Sequence, residues 1–117
     1  MADLSPFRDD YKKRWERWKR DLHDEPCQAC GFEGPVEIHH IRTRGSGGID
    51  APWNLIVLCR TDHTRWHAMG PIKFLARHPD LFEYLSRCQW YFDASNKFRC
   101  HLPVTDAQLQ RWLKDKK

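Results

Sequence analysis

The stretch LCRTDHTRWHAMG, residues 58–70, sets Cys59, Asp62, His63 and His67 close together in the chain. Thiolates and imidazoles are the ligands that zinc and its neighbouring transition metals prefer. Upstream, Cys27 and Cys30 form a Cys-x-x-Cys pair, so three soft donors are available for a closed tetrahedral site. The second half of such a knuckle usually carries its last ligand three residues after the cysteine, and here that residue is Asp62. A carboxylate binds zinc at ~2.0–2.2 Å, so Cys27, Cys30, Cys59 and Asp62 are the expected set. Otherwise Asp62 caps the helix that follows. In that case Cys88, Cys100, His101 or a water completes the tetrahedron, or the cysteines simply pack.

A second group of donors is nitrogenous. His63 and His67 are spaced i, i+4, and on a helix they share one face about a turn apart. His39 and His40 are adjacent, and successive residues of a strand point to opposite faces. Both can reach one site only if the strand ends there, which the glycine-rich stretch after them permits. Asn54 opens the next apolar run, and its amide can bridge backbone groups across that stretch, fixing the two arms in register.

The elements that must position these groups follow from periodicity. Ser5-Pro6 suits an N-cap and first helical residue, and Phe7, Tyr11, Trp15, Trp18 and Leu22 then recur at helical spacing up to Pro26. CQACGFEGP is a tight turn. VEIHHI (36–41) has strand propensity, with Val36, Ile38 and His40 on one face, and RTRGSGGIDAP (42–52) is a loop. WNLIVLC (53–59) is a second, buried strand, and TDHTRWHAM (61–69) a short helix ended by Gly70-Pro71. Two short helices punctuated by Pro79, a hairpin over 90–102 turning at Ser95-Asn96, and a capped basic helix complete the chain. The fold class is α+β. Residues 1–25 form a basic amphipathic helix, 26–70 a ββα unit with a cysteine knuckle, and 71–117 a helical extension.

A chain of 117 residues forms one domain with a modest core, which a bound metal would help to stabilise. No apolar run is long enough to cross a membrane. The opening MADLSPFRDD is acidic and polar, unlike a secretory signal, and the five cysteines are an odd number. Both features point to metal binding in a cytoplasmic protein rather than to a disulfide framework. The net charge is +4, and KKRWERWKR, from Lys12 to Arg20, carries six basic residues against one acid. Lys12, Lys13 and Arg14 are therefore candidate contacts to a phosphate backbone, the plain alternative being a solvated helix face.

Taken together, Cys27-x-x-Cys30, EIHHI, WNLIVLC and DHTRWH resemble the HNH endonucleases, the ββα-metal or His-Me finger group. The likeness is greatest to the small phage and bacterial members with a zinc knuckle, and the His-x-x-x-His ending is similar to the colicin nuclease domains. It covers residues 27–70. The resemblance implies a ββα-metal core with a structural zinc on Cys27, Cys30, Cys59 and Asp62. It implies one catalytic divalent ion (Mg²⁺, Mn²⁺, Ni²⁺ or Zn²⁺) on His39 and His63, with His67 as a third ligand or a phosphate contact. His40 would be the general base, Asn54 would orient its loop, and Glu37 would brace a neighbouring backbone or arginine. Arg42 and Arg44 are candidates for a phosphate oxygen. The expected activity is hydrolysis of DNA. The rivals are a zinc-finger module that only binds nucleic acid, and a thiol redox protein using Cys27 and Cys30. Redox lacks a βαβ pattern around the motif, and the binding module leaves the histidines and Asn54 without a purpose.

Overall fold

Residues 55–59, Leu-Ile-Val-Leu-Cys, are buried throughout, so a strand made of them needs cover on both faces. The computed structural model, which describes residues 11–115, supplies it. Strand β1 (Val36–His40) pairs antiparallel with β2 (Leu55–Cys59), in a register running from Val36↔Cys59 to His40↔Leu55. Ahead of them lies helix α1 (Tyr11–Leu22), whose Leu22 is buried. Behind them comes α2 (Arg60–Ala76), which packs on the hairpin. The Ser5-Pro6 cap, Phe7, and the side chains of Tyr11, Lys12, Lys13, Arg14, Trp15 and Trp18 lie outside the described residues.

Strand boundaries differ from the sequence reading: β1 ends at His40 rather than Ile41. The second strand starts at Leu55 rather than Trp53, because Pro52–Asn54 form a 3-10 turn with the proline in its first turn. The break expected at Gly70-Pro71 is present, as a non-helical residue between two helical segments. That glycine has φ 81°, which costs it little because it lacks a Cβ. Pro71 follows, and its fixed φ suits the first turn of a new helical segment. The two segments form one kinked α2.

The remaining elements are α3 (Pro79–Arg87), β3 (Trp90–Phe92) paired antiparallel with β4 (Phe98–Cys100), and α4 (Asp106–Asp115). They share the hairpin's core: Phe74, Leu81, Leu85, Leu109 and Leu113 join Trp53 and β2 in one buried cluster. Polar ties reinforce this. The Trp90 indole N–H donates to the Trp53 carbonyl at 2.6 Å, and the Trp53 indole to the Pro103 carbonyl at 2.5 Å. The Ile49 N–H donates to the Val104 carbonyl at 2.9 Å, beside a bridge between Gly48 and Thr105. Among the described residues no helix is long and apolar enough to cross a membrane.

Since Trp90 is buried and tied to Trp53, Trp90→Ala should cost about 3–5 kcal/mol. It should also lower urea stability in a single transition, measured by far-UV circular dichroism and by fluorescence. A loss below ~1 kcal/mol would mean that residues 71–115 add little to the hairpin's stability.

Candidate functional site

The knuckle begins as a tight turn. The Gly31 N–H donates to the Cys27 carbonyl and the Cys27 N–H to the Phe32 carbonyl. Gln28 then fastens the turn to β2, with its backbone N–H on the Val57 carbonyl and its side-chain oxygen accepting from the Val57 N–H. This brings Cys27 and Cys30 beside Cys59, which ends β2 and caps α2. Asp62, in the first turn of α2, is 2 % exposed and points into the cluster. The Cys27 and Cys59 thiols lie 3.3 and 3.4 Å from its Oδ2, and the Cys30 and Cys59 sulfurs 3.8 Å apart. Two thiolates bound tetrahedrally at ~2.3 Å stand ~3.8 Å apart, and a thiolate and a carboxylate oxygen ~3.5 Å apart. The spacing fits one tetrahedral ion. Cys88, Cys100 and His101 are not part of this cluster; the Cys100 thiol donates instead to the Cys88 carbonyl.

Protonation in the cluster follows the same logic. The hydrogen bond to the Asp62 carboxylate, then burial, push the Cys30 thiol up to about 12, and burial also raises Cys59. Burial alone would raise Asp62 as well, but the hydrogen bonds from Cys30, Cys27 and Cys59 outweigh it and hold its carboxyl low. Cys30 and Cys59 therefore keep their protons until a cation displaces them, as metal binding to thiols requires.

On the hairpin face toward α2, His39, His63 and His67 gather, with ring centroids 4.9–5.2 Å apart. One ligand atom from each lies within 4.8 Å of the others. His39 is 1 % exposed and packs on Trp66, which lies between the two helix histidines in sequence, at 4.8 Å. Burial, reinforced by His63, His67 and His40, pushes His39 down to about 3, so its ring is neutral as a metal ligand must be. Its Nε2 is buried without a hydrogen-bond partner. Leaving such an atom unsatisfied costs about 1–3 kcal/mol, which a bound cation would offset. Glu37 pairs with His63 Nδ1 at 3.2 Å rather than with a backbone group or an arginine, because it shares His39's face of β1. That bond leaves His63 Nε2 available, the usual way a carboxylate orients a ligating imidazole.

His40 does not join the trio. β1 stays paired through this residue, so its ring falls on the opposite face with Ile38, toward Lys19 and Arg20 of α1. There His40 Nε2 meets Asp50 Oδ1 at 2.7 Å, and Lys19 Nζ meets Asp50 Oδ2 at 2.7 Å. Arg44 approaches the same carboxylate at 3.3 and 3.4 Å. The carboxyl of Asp50 lies near 2: burial opposes ionisation, but the hydrogen bonds from Lys19 and His40 and the Arg44 charge outweigh it.

The loop between His40 and Asp50 is closed from within. Asn54, 0 % exposed, accepts the Arg42 N–H on Oδ1 at 2.8 Å. Its Nδ2 donates to the Arg42 and Ile49 carbonyls at 3.2 and 2.8 Å. Gly48 lies so close to Arg42 that an added Cβ would stand 1.7 Å from the Arg42 carbonyl oxygen. Arg42 and Arg44 are exposed on this loop. Sequence reasoning missed Asp50, Lys19 and Trp66; only Asp50 left a trace, as the one acid in the glycine-rich loop.

Both donor clusters and Asn54 fall inside residues 27–69, which match the profile of the family described as HNH endonuclease. That match spans 27–69 and no more of the chain. The four-donor cluster fits a zinc-knuckle variant of that family, built from Cys27, Cys30, Cys59 and Asp62. No curated protein and no solved structure matched the chain. The matched region takes in the hairpin and the first segment of α2, while α1 and residues 70–115 lie outside the match.

Two outcomes follow. Asp62→Ala should lower metal retention in a chelator competition followed by elemental analysis, while Asp62→Cys should raise it; equal retention by the alanine variant would make Asp62 a helix cap only. The Asp50 carboxyl lies near 2 when folded against an ordinary 3.8. Its stabilising contribution is therefore present above about pH 4 and lost as pH falls toward 2. With allowance for solvent screening it amounts to about 1 kcal/mol. Asp50→Asn should lower stability at neutral pH by that amount and leave it unchanged near pH 2, as read by urea titrations across the range.

Proposed function

We propose that this chain is a metal-dependent endonuclease that hydrolyses DNA phosphodiester bonds. The observation that carries the reading is the buried, unpartnered Nε2 of His39 facing two histidines one helical turn apart. His39, His63 and His67 would hold one divalent ion (Mg²⁺, Mn²⁺, Ni²⁺ or Zn²⁺). Three protein ligands leave further positions open, and such an ion supplies Lewis acidity for charge on the phosphate and on the departing 3′-oxygen. His40 is the proposed general base. Asp50, on Nε2, would orient the ring and leave Nδ1 to take the proton from the attacking water. A DNA strand crossing the end of the hairpin would meet His40 from one face and the trio from the other. Arg42 and Arg44 would hold phosphate oxygens. Lys12, Lys13 and Arg14 would extend the contact along α1, and the cysteine knuckle would hold a structural zinc.

The rival is a zinc-binding module that only binds nucleic acid. The specific observation in its favour is His40, which is bonded to Asp50 across the sheet from the trio. A supercoiled-plasmid nicking assay with each ion or with EDTA decides between them. The wild type should nick with at least one ion. His63→Ala should abolish nicking. His40→Ala should reduce it ~10²–10⁴-fold with DNA affinity nearly unchanged. A His40 variant within about tenfold of wild type would assign the base elsewhere, and a wild type inactive with every ion would leave the binding module. Charge reversal of Lys12, Lys13 and Arg14 should weaken DNA binding and flatten its salt dependence. An unchanged slope would return that helix face to solvent.

A further inference from the structure

Trp66, which packs on His39, also lines a cavity of about 600 Å³ between the ββα unit and the β3–β4 hairpin. That volume falls in the ~300–1,000 Å³ range of small-molecule sites. Its floor is aromatic. Trp66 and Trp90 are buried, and the half-buried Phe98 stacks on Trp90 with centroids 4.8 Å apart. Its rim is cationic, because Arg42, Lys97 and Arg99 line it and, among the described residues, no carboxylate does. Arg99 is paired with Asp93, but Lys97 has no salt bridge among the described residues. Arg42 commits only its Nε, to the Ser46 carbonyl.

The rim also offers hydrogen-bonding edges. Gln108 uses its side-chain oxygen on the Val104 and Thr105 N–H groups, which leaves its amide N–H₂ as a donor. Asn96 sits at φ 61° in the β3–β4 turn. Asp93 fixes that turn by accepting from the Ser95 and Lys97 N–H groups at 2.8 and 3.0 Å. The groups at the mouth are thus carried on a pinned turn.

A base inside a duplex is stacked on both faces and cannot enter a cavity, whereas an unpaired base can. Aromatic surface beside cationic groups is the pairing that single strands meet in proteins that bind them. We propose that this cavity receives one unpaired nucleotide of a DNA strand beside the histidine trio. Its base lies against the aromatic lining formed by Trp66, Trp90 and Phe98, and its flanking phosphates lie at Lys97 and Arg42. The favoured substrate is then single-stranded or locally unpaired DNA rather than continuous duplex. The inference rests on the endonuclease reading for its consequence and on the cavity for its chemistry.

Binding without added divalent ions separates the two. Fluorescence anisotropy of the full chain with a labelled single strand, and with the same strand in a blunt duplex, should show at least roughly tenfold tighter binding of the single strand. Lys97→Glu, on an exposed turn, should weaken single-strand binding by roughly tenfold and leave duplex binding within twofold. It should reduce the salt slope for the single strand by roughly 0.7 per phosphate lost. Asn96→Gly, which keeps the backbone conformation, should weaken single-strand binding alone. Duplex binding equal to or tighter than single-strand binding, or an equal loss of both in Lys97→Glu, overturns the inference even if the protein nicks plasmid. Single-strand preference without hydrolysis by any ion would support the cavity and overturn the endonuclease reading.

Discussion

Asn54 has no contact with solvent and uses its whole amide on the backbone, binding both the N–H and C=O of Arg42 and the C=O of Ile49. Those three bonds close the loop that leaves β1 and returns to β2. The position of Asp50 against His40, the presentation of Arg42 and Arg44, and the contact of Ile49 with Val104 all depend on that closure. A buried amide that is fully bonded rigidifies what it joins, and one that loses a partner is costly. The loop has little regular structure of its own, so this one side chain does the work that a ladder of backbone bonds does elsewhere.

The two donor clusters show how one hairpin and one helix separate soft from borderline ligands. Thiols gather at the β2–α2 junction, where the knuckle turn is fastened by Gln28, and imidazoles gather beside them on the adjacent face of α2. Asp62 and His63 are neighbours in sequence, yet each belongs to a different cluster. Each residue of a helix turns by about 100°, so adjacent side chains diverge. The thiol cluster shields its protons by burial and by the carboxylate, whereas the histidine cluster has one nitrogen with no partner at all. The first has the character of a closed structural site and the second that of an open one.

Features set by short-range periodicity were legible in the sequence. The apolar run of β2, the i, i+4 histidines, the cysteine spacing and the turn at Ser95-Asn96 all recur in the structure. Proline chemistry shifted the start of β2, whereas the break read at Gly70-Pro71 is the kink between the two segments of α2. What could not be read was closure over longer distances. Asp50 reaches His40 only because Gly48 passes against the Arg42 carbonyl, and Lys19 joins them from a helix far away in sequence. The docking of residues 71–115 likewise hangs on indole-to-carbonyl bonds between Trp90, Trp53 and Pro103, and no local pattern announces those. Alternation along β1 already put His39 and His40 on opposite faces, and the pairing maintained through His40 keeps them there.

Because α2 begins at Arg60, directly after the Cys59 that ends β2, and Asp62, His63, Trp66 and His67 follow without a loop, chain length here leaves no slack. One residue inserted after Asp62 would leave the four-donor cluster intact and swing everything beyond it by about 100°. His63 and His67 would then face away from His39, and Trp66 would leave its place under that ring. One residue inserted at Gly45, which has open space around it, would meet no such penalty. Between β1 and His67, length changes are therefore tolerated on the loop side of Asn54 and not beyond it. The stretch from Leu55 to His67 is held in length as well as at its donor positions.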